Sequence, residues 1–70
     1  MNTVTISPAV ARSVLSFYGF PNGWAVGGFE TALMNAFLKA DSMNYERLAQ
    51  GFPEHAIALR MKVTELTEIA

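Results

Sequence analysis

The side chains able to do chemistry in this chain are few, and their spacing argues against most reactions. His55 is the single histidine, and it stands in "FPEHAIAL", close to the start of an apolar segment. Ser13, Ser16 and Ser42 carry hydroxyls, but none is flanked by the glycines that put a nucleophilic serine on a sharp exposed turn. No two carboxylates share an apolar helix face, the arrangement that general acid–base work would need. A metal would need His55 to converge with Asp41, Glu46 or Glu54 from different elements, and nothing in the spacing demands it. The absence of cysteine excludes disulfides and thiolate ligands, and fits a reducing compartment. The expectation is a protein that is not an enzyme and holds no cofactor and no metal.

Nucleic-acid binding is the next chemistry to weigh. Five Lys and Arg against six Asp and Glu leave a net charge of −1, with no basic stripe to neutralise phosphates. The segment "ERLAQGFPEHAIALRMK" has the outline of a helix-turn-helix motif. Its second helix, however, would open with Glu54 where base-reading side chains enter, and Arg60 and Lys62 come late and on different faces. A small DNA-binding regulator therefore stays an alternative, with nucleic acid not the expected partner.

Aromatic side chains gather around the first turn signal: Phe17, Tyr18, Phe20 and Trp24. Tyrosine and tryptophan pair a large apolar body with a polar tip, which suits half-buried interfaces as well as cores. Tyr18, Phe20 and Trp24 are the candidate protein-binding residues, and Trp24→Ala is expected to weaken association by about 2 kcal/mol if Trp24 anchors an interface.

Composition explains why an interface is expected at all. Of the 70 residues, 51% are hydrophobic and 16% are charged, against about 25% charged in ordinary globular proteins. A domain this small buries only roughly 60% of the surface of its unfolded chain. Few ionic groups remain to cover the exterior, so some apolar surface should be hidden against another copy, a dimer being favoured, or against a partner. No apolar run approaches the length of a membrane span, and "MNTVTISPAV" has no basic region followed by an apolar block. A cytoplasmic location is the expectation.

Elements follow from caps and periodicity. Residues 1–6 alternate, with Val4 and Ile6 on one side, and form either an extended arm that pairs with a second copy or a loose tail. Ser7-Pro8 opens a first helix to about Tyr18, along which Val10, Val14 and Phe17 make a stripe, and Gly19 ends it. A second helix runs from Phe29, capped by Gly28, through "FETALMNAFLKA". Apolar on most sides, with only Thr31, Asn35 and Lys39 as a polar stripe, it is expected to be the central helix. That polar stripe could also line a cleft that sequesters a small ligand between subunits. Asp41 caps a short third helix, "MNYERLAQ", with Asn44 at the third position.

Gly51 then stops the third helix, and Phe52-Pro53 starts a fourth that reaches Ala70. Phe52, Ala56, Leu59, Val63, Leu66 and Ala70 recur at heptad spacing along it, and pack either within the subunit or, through Leu59, Val63 and Leu66, against a second copy. The triplet Gly-Phe-Pro occurs twice, at 19–21 and 51–53, and both copies are read as a helix stop followed by a restart.

From Gly28 onward the chain resembles small proteins encoded by phages and prophages of actinobacteria. The shared pattern falls on Gly28, Phe29, Leu33, Ala40, Asp41, Asn44, Leu48, Phe52 and Pro53, about half the chain. That resemblance implies a phage-type origin and a host or phage protein as partner; it implies no particular reaction. The sequence as a whole predicts one all-α domain, a small bundle of three to four short helices with an extended N-terminal arm. Its expected role is a non-enzymatic interaction module.

Overall fold

The computed structural model describes residues 5–20 and 26–70. Within them the domain is all-α, built from α1 (Pro8–Phe17), α2 (Gly28–Lys39), α3 (Ser42–Gly51), α4 (Pro53–Ala58) and α5 (Val63–Ile69). Val4 and Trp24 lie outside the described residues.

The first corner forms as its residue types dictate. Ser7 Oγ accepts the Val10 amide proton at 3.3 Å, with Pro8 in the first helical turn. At the other end Gly19 adopts φ +92°, the left-handed region that side chains with a Cβ avoid. That geometry lets the Gly19 amide donate to the Ser16 carbonyl and the Phe20 amide to the Leu15 carbonyl, at 3.0 and 2.9 Å. These two bonds are the Schellman closure of a helix end.

The second Gly-Phe-Pro makes a different corner. Gly51 stays inside the last turn of α3 and has no positive φ. Phe52 carries the break instead, at φ −135° and ψ 66°, because the Pro53 ring clashes with a helical conformation at the preceding residue. The Phe52 amide still donates to the Leu48 carbonyl, and the Phe52 carbonyl accepts from Ala56, so one residue joins α3 to α4. Asp41 caps α3 as expected, its Oδ1 accepting the Asn44 backbone amide at 2.8 Å.

Two expectations are corrected by the packing. The first is the central helix. It is α1, which packs against α2, α4 and α5, with Val10, Ala11, Ser13, Val14 and Leu15 all buried. Ala11 and Ser13 have small side chains, which allow neighbours to approach α1 from more than one direction. By contrast α2 turns Leu33, Met34 and Phe37 inward and leaves Phe29 and Leu38 exposed.

The second correction is the long fourth helix. It is broken after Ala58, and the heptad seam is divided between two helices. The turn tightens to bonds of the i→i+3 type, Arg60 to Ile57 and Met61 to Ala58, and Lys62 is extended. Glu65 Oε1 then accepts the Lys62 amide at 3.0 Å and restarts the helix. A straight helix over 53–70 would run about 27 Å and carry Leu66 away from α1. The break folds α5 back, so that Leu66 is fully buried beside Ile6, Val10 and Val14. Burying one leucine contributes about 2–3 kcal/mol, more than the helical bonds partly replaced at the turn.

A second, smaller cluster holds Leu33, Phe37 and Ala56 against Tyr45, Leu48 and Phe52. Leu59 touches both clusters and joins them.

Candidate interaction surface

The residues singled out for self-association are mostly turned inward. Ile6 is buried in the core of its own chain, not presented on a free arm. Its neighbour Ser7 donates its amide to Glu54 Oε1 at 2.7 Å, tying residues 5–7 to α4. Leu59 and Val63 are half-buried against the same core, and Leu66 is internal.

Tyr18 and Phe20 sit at the surface end of α1. Tyr18 is 37% exposed, and its hydroxyl donates to the Leu59 carbonyl at 3.0 Å. Partial burial raises the phenol above its ordinary pKa, and the charge of Tyr45 adds to the effect. Phe20 is 46% exposed just beyond the Schellman turn.

His55 has a carboxylate beside it, but not its sequence neighbour. Its Nε2 lies 3.4 Å from Glu30 Oε1, across the gap between α4 and α2, and the Phe52 ring stands edge-on at 6.0 Å. Nothing in the sequence pairs Glu30 with His55; the contact exists because α2 and α4 meet at the second cluster. Among the described residues no group of three or more His, Asp and Glu is placed to hold a metal ion, and no helix is long and apolar enough to cross a membrane.

What the sequence reading missed is how much apolar surface α2 and α3 leave uncovered. Phe29, Leu38 and Met43 are 68%, 62% and 64% exposed. Phe29, one turn before Leu33, is outside the inward face that Leu33 and Phe37 share. The signal was present: an apolar arc too wide for one neighbour to cover.

Two grooves flank α3. One, of about 330 Å³, lies between α3 and α4, lined by Tyr45, Glu46, Pro53, Ile57 and Arg60 among others. Its wall is held rigidly. Tyr45 donates its hydroxyl to the Ala56 carbonyl at 2.8 Å, its ring meets Phe37 edge-on, and the Arg60 guanidinium sits 4.6 Å over its centre. The other, of about 410 Å³, lies between α2 and α3 and is lined by Ala36, Lys39, Ala40, Asn44, Arg47 and Leu48. It has an apolar floor and two cations, with no acidic side chain.

Comparison with protein-family models, curated proteins and solved structures finds no match to the chain.

Proposed function

We propose that this protein is a non-enzymatic interaction module that docks on another protein and also associates as a homodimer. The observation that supports it is the exposure of Leu38 and Met43, 62% and 64%, at the end of α2 and the start of α3. Single exposed apolar side chains are ordinary, but several large ones on neighbouring elements mark a contact surface. A phage-type origin would make the partner a host or phage protein, met in the cytoplasm of a bacterial host. The DNA-binding alternative has less support. The helix that would enter a groove, α4, has six residues and buries His55, Ala56 and Ala58.

The test is affinity capture from host lysate, with sedimentation of the purified chain beside it. Recovery of one protein in stoichiometric amount, lost when Leu38 and Met43 are both replaced by Gln, is the expected result. Failure to capture anything, with a monomer in sedimentation at high micromolar concentration, would overturn the reading.

A further inference from the structure

We infer, on the strength of the interaction reading above, that the groove between α2 and α3 is a docking site for an acidic amphipathic helix of a partner protein. The groove's floor is apolar, from Ala36 on α2, Ala40 just past its end and Leu48 on α3. The small side chains of Ala36 and Ala40 let another helix approach closely, as in helix-in-groove recognition. Lys39 rises from one wall and Arg47 from the other, and among the described residues neither makes an ion pair. Met43, one turn before Arg47 on α3, is 64% exposed.

This local charge stands out because the chain as a whole is slightly acidic. Five of its six carboxylates have other partners or positions, and the sixth, Glu68, lies on α5. Glu30 faces His55, Glu54 accepts from Ser7, Asp41 caps α3, Glu65 accepts from Lys62, and Glu46 lines the other groove. The two cations are thus left for acids from outside, placed so that carboxylates on both sides of an apolar stripe meet one each.

Other occupants fit less well. A free phosphate would want several converging donors, and the Asn44 backbone amide at the start of α3 is already taken by Asp41. A second copy could offer Glu65 and Glu68 of α5, but the face that carries them also carries Thr64 and Thr67, and Leu66 is buried. That face has acids with nothing apolar between them to fill the floor.

The probe is a fluorescent, four-turn helical peptide with a leucine stripe flanked by glutamates, set against the same peptide with lysines in place of the glutamates. Anisotropy should show the acidic peptide bound at least about tenfold more tightly, with affinity falling as salt rises. Amide shifts should centre on Lys39, Asn44 and Arg47. Lys39→Glu with Arg47→Glu should reverse the preference, and Lys39→Gln with Arg47→Gln should abolish it while leaving the circular dichroism unchanged. Equal binding of the two peptides, no binding of the acidic one at millimolar concentration, shifts centred elsewhere, or shifts matched by concentration-dependent self-association overturns the inference. Stoichiometric capture of a protein that persists in the Lys39→Gln, Arg47→Gln variant but needs Leu38 would leave the interaction reading standing and remove this site.

Discussion

The Ser7 amide donates to Glu54 Oε1 at 2.7 Å, joining the segment before α1 to the first turn of α4. This bond and the burial of Ile6 hold the start of the described chain on its own subunit. A hydrogen bond to a charged acceptor contributes about 1.5–3 kcal/mol. Glu54→Ala is therefore expected to lower stability by about that much in urea unfolding, and Glu54→Gln by less, since its amide oxygen can still accept. Equal losses in the two variants would show that the acceptor is irrelevant.

Leu66 separates a folding role from an interface role. Fully buried, it should cost about 3 kcal/mol when cut to alanine, by lost transfer energy and the cavity left behind. The loss should be the same at low and high protein concentration. A melting temperature whose drop depends on concentration would instead place Leu66 between subunits.

The two Gly-Phe-Pro corners predict substitutions of opposite sign. Gly19→Ala forces a Cβ into the left-handed region at φ +92°, for a loss of about 1 kcal/mol. Gly51 is helical, with open space where a Cβ would stand, so Gly51→Ala should stabilise by about 0.5–1 kcal/mol through helix propensity. Chemical denaturation of both variants checks this; a shift in the same direction would mean the corners are alike.

Tyr18 predicts an alkaline effect. Burial raises its pKa, so the neutral phenol, which donates to Leu59, is the form that folding favours. Its contribution is fully present below the ordinary tyrosine value near 10 and is lost as pH rises through the higher folded value. Melting curves of the wild type and of Tyr18→Phe should therefore converge above about pH 10. A constant gap between them across the alkaline range would count against the O–H donor.

Leu38→Gln and Met43→Gln alter exposed positions and should each change stability by no more than about 0.5 kcal/mol. Their effect belongs in the capture experiment. Unfolding of either variant at ordinary temperature would mean that these side chains serve the core.

Parts of the candidate surface were legible in the residues and parts were not. Tyr18 and Phe20, two of the three candidate protein-binding residues, are 37% and 46% exposed. Lys39 was read in a polar stripe on the second helix and Arg47 belongs to the third, and nothing local shows that both line one groove. Glu30 and His55 are the same case: the pairing depends on how α2 meets α4.

The amino-acid sequence by itself determined the helix ends. Ser7, Gly19, Asp41 and Pro53 act on backbone groups within a few residues, so the physics that sets those ends is contained in short segments. Tertiary structure decided which helix lies at the centre and where the apparent heptad helix breaks. Those choices turn on burying Leu66, Met34 and Ile6 against α1 from distant parts of the chain. Burial energy depends on who the neighbours are, and periodicity along one segment, as in 52–70, is the same whether the helix stays straight or folds back.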